Sequence, residues 1–182
     1  MEDVRGPSAT GQAAVPHTVV GAGSDVTDDL ELAARSAVPV LITGGSGPSR
    51  EGRARFVHDN SRVGRGPFIA LSCLDRGSEG GDMRSVLERA RGGTAFVDHV
   101  GAMSAGAQAQ LLAFLDDESI RGASSADHAT GHGVRVIAGT GDPLGPRIAA
   151  GTFSETLFYR LNIIHIKAPP GPKPGTPCVV DS

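Results

Sequence analysis

A glycine-rich segment early in the chain has the residue types of a phosphate-binding loop. It consists of Gly44, Gly45, Ser46, Gly47, Pro48, Ser49, Arg50 and Glu51. Backbone N–H groups between a strand and a helix can cradle phosphate oxygens, and a nearby cation adds charge. The segment almost fits the pattern G-x-x-x-x-G-K-[ST], but its last positions hold Ser49, Arg50 and Glu51. It predicts a nucleotide site on the N–H groups of Gly45, Gly47 and Ser49, with Arg50 on the phosphates; the alternative is a structural turn.

A second chemical group is the carboxylate of Asp98, which ends the apolar run Thr94–Asp98. A carboxylate in this position can hold Mg²⁺ directly or through water, as in the Walker B motif that accompanies a phosphate loop. The alternative is that Asp98 ends its strand by hydrogen-bonding the following loop. The two motifs together predict a site for ATP or ADP with Mg²⁺, in which Asp98 is the metal-binding residue.

Five apolar runs alternate with amphipathic segments and must position these groups. The predicted strands are Val38–Thr43, Phe68–Ser72, Thr94–Asp98, Val134–Ala138 and Ile163–Ile166. The predicted helices are Thr27–Ser36, Gly52–Asn60, Asp82–Arg91 and Ser104–Asp116, and a small-residue loop is predicted over Gly122–Gly133. This alternation is typical of an α/β protein with a parallel sheet between helices, whose ligands bind at the carboxyl ends of the strands.

The bulk composition is that of an ordinary globular domain. The 182 residues are 39% hydrophobic, carry a net charge of −3 and include two cysteines. This charge gives no general reason to expect nucleic-acid binding, and no apolar run is long enough for a membrane span. We expect a cytoplasmic chain with a disordered lead-in over residues 1–16, a core over 17–168 and a Pro/Gly-rich tail over 169–182.

Several segments in fixed order resemble the central AAA+ domain of sigma-54-dependent transcriptional activators, the bacterial enhancer-binding proteins. Thr43–Glu51 resembles the family's TGESGTGKE, and Gly92–Ser104 resembles GGTLFLDEIGEMS. Gln108–Asp116 is similar to QAKLLRVLQ, Val134–Gly141 to VRVIAATN, and Gly151–Ile163 to GxFREDLYYRLNV. The resemblance covers about residues 17–170. It implies a P-loop AAA+ core with strand order 5-1-4-3-2, ATP as ligand and a role in transcription regulation.

Four chemical positions depart from the family pattern. Arg50 stands at the Walker A lysine, and His99 stands at the Walker B glutamate that polarises water. Gly141 replaces the asparagine that senses the γ-phosphate, and Ser154 replaces the first of two arginine fingers, which leaves Arg160. In addition, Ser49 replaces a glycine, so we expect its Cβ to strain a turn that needs positive φ. These departures predict a domain that binds nucleotide but does not hydrolyse it.

Two longer features of the family are also missing from the sequence. The insertion that carries GAFTGA, which touches the sigma factor, has no counterpart between Cys73 and Gly92. The segments that correspond to the helical lid and the DNA-binding helix-turn-helix are likewise not found. We therefore expect no direct contact with the sigma factor or DNA, and expect partners to be copies of this chain or full-length activators. The alternative function is a protein-interaction module that binds no nucleotide and modulates activator rings; an active ATPase and an eroded remnant are further alternatives.

Overall fold

The computed structural model describes residues 26–74, 83–124 and 133–169. The α-helices are α1 (Val26–Arg35), α2 (Gly47–Asp59), α3 (Met83–Arg89), α4 (Ala105–Ser124), α5 (Gly145–Ala149) and α6 (Glu155–Leu161). The strands are β1 (Val40–Gly44), β2 (Phe68–Ser72), β3 (Thr94–Asp98), β4 (Arg135–Thr140) and β5 (Ile164–Ala168). A short 3₁₀ helix, Val100–Ala102, follows β3.

The five strands form one parallel sheet in the order β2-β3-β4-β1-β5. This is the predicted order 5-1-4-3-2 viewed from the opposite edge, and the prediction is confirmed. In the register, Thr43 pairs with Thr140, and Ser72 pairs with Asp98. Because all strands run in the same direction, the ends of β1, β3 and β4 lie along one edge of the sheet. The phosphate-loop segment and Asp98 both occupy that edge.

Both faces of the sheet are buried, and each face has its own hydrophobic core. Val40 and Ile42 point to one core, which α1 and α2 cover through residues such as Ala33 and Val57. Leu41, between them in β1, points to the other core, which contains Leu111 of α4 and residues of α3 and α6. Successive side chains of a strand point to opposite faces, and here both faces are buried. This explains why these strands read as continuous apolar runs.

The structure corrects two predicted helix boundaries. Helix α2 begins at Gly47 rather than Gly52, because Ser46 caps it and Pro48 lies in its first turn, where a missing N–H costs nothing. Helix α4 extends to Ser124 rather than ending near Asp116, so the loop predicted over Gly122–Gly133 begins later. The short helices α5 and α6 were not predicted as separate elements.

Three further predictions concern strain, membranes and the chain ends. The predicted strain at Ser49 is wrong: within the described residues His99 alone among non-glycine residues has positive φ, and Ser49 lies in α2. No helix in the described ranges is long and apolar enough to cross a bilayer. The predicted lead-in over residues 1–16 and nearly all of the tail over 169–182 lie outside the described residues.

Candidate functional site

The loop after β1 turns sharply before α2 begins. Gly44 and Gly45 have φ values of 78° and 60°, a region that side chains rarely adopt. A Cβ on Gly44 would also lie 2.8 Å from the carbonyl oxygen of Ala168 on β5. Ser46 then caps α2, and its hydroxyl accepts a hydrogen bond from the Ser49 N–H at 3.3 Å. The turn therefore needs glycine at its first two positions.

The side chain of Arg50 folds back under this turn and places its guanidinium against Asp98. Its Nε donates to Asp98 Oδ1 at 2.7 Å, and its Nη2 donates to Oδ2 at 3.0 Å. Its Nη1 donates to the carbonyl oxygens of Gly44 and Gly45 at 3.1 and 2.9 Å. The second N–H of Nη2 faces His99 Nε2 at 3.1 Å. A guanidinium has five N–H donors, so every donor of Arg50 has an acceptor.

This ion pair lies deep in the protein. Arg50 is only 1% exposed and Asp98 only 6%. A buried charge is tolerated when it is paired and its remaining hydrogen-bonding capacity is satisfied, and the bidentate geometry with the two loop carbonyls provides both. A cation at the start of a helix opposes the helix dipole, so the negative charge of Asp98 is needed to hold it there. Arg50 and Asp98 thus form a neutral pair in which every donor of Arg50 has an acceptor.

His99 completes the cluster from the residue after β3. Its backbone is left-handed, with φ 55°, and this turns the ring back toward Asp98. Because Nε2 faces an Arg50 donor, it must accept, which puts the ring proton of a neutral imidazole on Nδ1. Nδ1 lies 3.3 Å from Asp98 Oδ2 and 3.5 Å from the Ser72 hydroxyl. The Nδ1 side of the His99 ring therefore faces Asp98, and the Nε2 lone pair is directed at Arg50.

Three glycines, in β4, directly after it and at the start of α2, leave the space that this cluster fills. A Cβ on Gly139 in β4 would lie 2.4 Å from Asp98 Oδ1, and one on Gly141 would lie 3.3 Å from Arg50 Nη1. A Cβ on Gly47 would be 3.4 Å from Asp98 Oδ2. The role of Gly139 was not predicted, because its only sequence signal is a small residue in a buried strand. Ser72 and Gly139 are the supporting residues that the structure adds to the predicted ones.

Two predicted site residues have partners outside this cluster. Glu51 lies on α2 and pairs with Arg55, with 2.8 Å between Oε1 and Nη2. Arg160, at the remaining arginine-finger position on α6, pairs with Asp116 on α4, with 2.8 Å between Nη2 and Oδ1. The structure thus brings together Gly44, Gly45, Arg50, Asp98 and His99, and Gly47 is in contact range. Pro48 and Ser49 belong to the first turn of α2.

Two titratable side chains border the sheet edge. Burial, and secondarily the charge of Asp98, raises the pKa of the Cys73 thiol to about 11, so this thiol stays protonated near neutral pH. His165 on β5 shares a hydrogen bond of 2.8 Å with the Thr43 hydroxyl, at the end of β1. Burial, and secondarily the charge of Lys167, lowers the pKa of His165. Both shifts favour the neutral form of the residue.

Comparison with known proteins identifies the family of the chain. The model of the sigma-54 interaction domain matches residues 20–79 and 76–167. The chain belongs to the sigma-54 interaction domain family. The nitrogen fixation protein VnfA of Azotobacter vinelandii is 35% identical over 191 residues, which cover 93% of this chain and 36% of that protein. The regulatory protein AtoC of Escherichia coli is 34% identical over 168 residues, covering 80% of this chain and 35% of its own length. The chain therefore spans about a third of these curated relatives.

Solved structures agree with this family membership. NtrX from Brucella abortus in complex with ADP has a TM-score of 0.66 and 28% identity, over 80% of this chain and 35% of NtrX. NtrX in complex with ATP has a TM-score of 0.65 and 27% identity, over 87% of this chain and 39% of NtrX. The P-loop NTPase domain of the sigma-54 transport activator from E. coli, at 20% identity and a TM-score of 0.56, shares the fold. The predicted family and the predicted P-loop fold are both confirmed.

Proposed function

We propose that this sigma-54 interaction domain takes part in transcription regulation and binds ATP or ADP without hydrolysing ATP. Two observations support nucleotide binding. NtrX, which shares the fold at 27–28% identity, was solved with ADP and with ATP. The turn at Gly44 and Gly45 leads directly into the N-terminus of α2, where helix N–H groups and the helix dipole favour phosphate.

The Arg50–Asp98 pair is the main observation in favour of a domain that does not hydrolyse ATP. All five N–H donors of Arg50 have acceptors within the protein, so the side chain has none left for a phosphate oxygen. A bound nucleotide would therefore depend on backbone N–H groups, of which the Ser49 N–H already donates to Ser46. Of the three N–H groups predicted to bind phosphate, those of Gly45 and Gly47 remain.

The groups that would activate water are also replaced. At the position of the family's Walker B glutamate, His99 directs its Nε2 lone pair at Arg50 and its Nδ1 at Asp98. A histidine engaged in this way has no free lone pair for taking a proton from water. Gly141, at the position of the γ-phosphate sensor, has no side chain to contact a nucleotide. Binding and hydrolysis are thus separable in this domain.

Two measurements on the purified chain test the proposal. Isothermal titration with ATP and with ADP should give heat of binding, and each nucleotide should raise the melting temperature, since a ligand of the folded state stabilises it by mass action. Phosphate release from ATP should stay at the level of a protein-free control. ATP hydrolysis by the unmodified chain that is lost in Asp98→Ala would contradict the proposal and would favour the alternative of an active ATPase. Failure to bind either nucleotide at millimolar concentration would refute nucleotide binding.

The second candidate function is a protein-interaction module that uses AAA+ interfaces to modulate full-length activator rings. The saturation of Arg50 favours it, because the loop is held by its own arginine and needs no ligand for order. Arg160 and Asp116 also present a half-exposed ion pair between α6 and α4. Pull-down of a purified full-length activator should then succeed without nucleotide and weaken with Arg160→Ala. Arg35→Ala, at the exposed end of α1, is the matched control.

A further inference from the structure

We infer that the nucleotide site has no place for Mg²⁺, because the guanidinium of Arg50 occupies the carboxylate that would bind the metal. This inference rests on the proposed function and specifies its ligand as metal-free nucleotide. Asp98 is the predicted metal-binding residue, yet both of its oxygens already accept hydrogen bonds from Arg50, at 2.7 and 3.0 Å. The carboxylate oxygens of Asp98 are therefore bound to an internal cation, Arg50, in place of a metal ion.

The coordination chemistry of Mg²⁺ makes this conflict specific. The ion requires near-octahedral oxygen ligands at about 2.0–2.1 Å and usually depends on at least one carboxylate that points into the site. Oδ1 of Asp98 accepts from Arg50 Nε, and Oδ2 accepts from Nη2 and also faces His99 Nδ1 at 3.3 Å. A metal ion that approached either oxygen would meet the positively charged guanidinium. Asp98 can serve Mg²⁺ only after Arg50 has left.

Moving Arg50 away would disrupt more than one contact. The side chain is buried and would give up its bonds to two loop carbonyls and to His99, along with both bonds to Asp98. Two of these acceptors, the carbonyls of Gly44 and Gly45, belong to the turn that forms the phosphate cradle. Displacement of Arg50 would therefore remove support from the same turn that has to bind the phosphate.

The neighbourhood contains no substitute ligand set. In residues 26–74, 83–124 and 133–169, no three His, Cys, Asp or Glu side chains are grouped closely enough to bind a metal ion. The hydroxyl of Thr140 at the end of β4 donates to the carbonyl of Asp142, and the next residue, Gly141, has no side chain. The positive charge beside the loop is instead built into the protein as Arg50.

Titration of ATP in buffers with Mg²⁺ and with EDTA tests the inference directly. The dissociation constant of the unmodified chain should agree within about twofold between the two buffers, because no metal couples the nucleotide to Asp98. Arg50→Lys has fewer donors and leaves carboxylate lone pairs free, so its affinity should rise by about tenfold or more when Mg²⁺ is added. Arg55→Lys, an exposed residue on the same helix, should behave like the unmodified chain.

Mn²⁺ binding, measured by electron paramagnetic resonance without nucleotide, separates this inference from the proposed function. The unmodified chain should leave Mn²⁺ free in solution, and Arg50→Lys should bind it in a manner that Asp98→Asn abolishes. If Arg50→Lys does not fold by circular dichroism, the Mn²⁺ titration and the comparison of Mg²⁺ and EDTA buffers on the unmodified chain still decide. Stoichiometric Mn²⁺ binding by the unmodified chain that Asp98→Asn removes would overturn the inference, as would a tenfold loss of ATP affinity in EDTA. Absence of ATP binding in both buffers, with Mn²⁺ still free, would refute the proposed function and would still support the exclusion of metal from Asp98.

Discussion

Arginine and lysine carry the same charge at position 50 but have different consequences for the site. The ammonium of lysine is a compact point charge with three donors, whereas the planar guanidinium of Arg50 presents five donors in a fixed arrangement. Asp98, His99 and two loop carbonyls match that arrangement in full. Arg50 is therefore bound within the protein and has no N–H donor left for a ligand.

Removal of the Arg50 charge should strongly destabilise the fold. Arg50→Met leaves Asp98 as a buried, unpaired carboxylate, and breaking a buried ion pair in this way costs about 3–5 kcal/mol. Arg35→Met removes an ion pair whose guanidinium side chain is 80% exposed, and such pairs are worth less than about 1 kcal/mol. Urea unfolding of both variants measures the two costs. Equal losses in the two variants would contradict the structural importance of the Arg50–Asp98 pair.

Acid should destabilise the protein through its buried histidines. Burial lowers the pKa of both His58 and His165 below 6.5, so the unfolded chain binds more protons than the folded one in this range. The neutral forms should be fully stabilising well above pH 6.5, and the free energy of unfolding should decrease as the pH falls through about 6.5 and below. Urea unfolding at several pH values measures this dependence.

The variant His58→Gln provides the control for this pH dependence. Glutamine has no titrating group but can still hydrogen-bond the hydroxyl of Thr94, which the His58 ring contacts at 2.8 Å. The slope of stability against pH should be smaller in this variant. An unchanged slope in the variant that lacks both histidines, His58→Gln with His165→Gln, would show that other groups cause the acid sensitivity.

At the scale of the elements, two glycines near the start of α2 should respond to substitution in opposite directions. Gly44→Ala places a side chain at positive φ and against the carbonyl oxygen of Ala168, so it should cost at least about 1–2 kcal/mol. Gly52→Ala, inside α2 with open space around its Cβ position, should gain about 0.5–1 kcal/mol. Thermal unfolding of both variants measures these two changes in stability. A stabilising Gly44→Ala would mean that the turn adopts another conformation.

The buried side chain of Gln108 joins α4 to the segment that leads into α6. Its amide nitrogen donates to the carbonyls of Met103 and Thr152 at 3.0 Å, and its oxygen accepts from the Ser154 N–H at 2.8 Å. Gln108→Ala leaves buried groups unpaired and should destabilise the protein by about 1–3 kcal/mol. Gln110→Ala, exposed on the same helix, should change stability by less than about 0.5 kcal/mol. Denaturant unfolding compares them, and similar values would contradict the bridging role.

The predictability of the elements differed with the strength of their local signal. Strands β2 and β3 were predicted residue for residue, because each is a short apolar run bounded by glycine, proline or polar residues. The sequence pattern misplaces the start of α2, because glycine, serine and proline are also typical of loops. Serine followed by proline two positions later is equally a sign of a helix start, and Ser46 and Pro48 have these roles here.

At the scale of the whole molecule, the location of the site was predictable and its internal pairing was not. The family pattern places Gly44–Glu51 and Asp98 at strand ends, and parallel topology brings such ends to one edge of the sheet. The ion pair between Arg50 and Asp98 depends on the distance between β1 and β3, with β4 between them, which no local pattern contains. The replacement of two family residues by Arg50 and Gly141 was the available signal, since Gly141 leaves room beside the guanidinium.

The position of β1 in the sheet has a consequence for synthesis of the chain on the ribosome. β1 emerges first of the five strands, but both of its neighbours, β4 and β5, come from residues 135–168. One edge of β1 therefore stays unpaired until β4 has left the exit tunnel, and the other edge until β5 has left it, and such distant pairings form slowly. Nascent chains arrested before β4 should be digested by added protease within β1, and chains arrested well beyond β5 should be protected. Early protection would show that β1 first pairs with a different part of the chain.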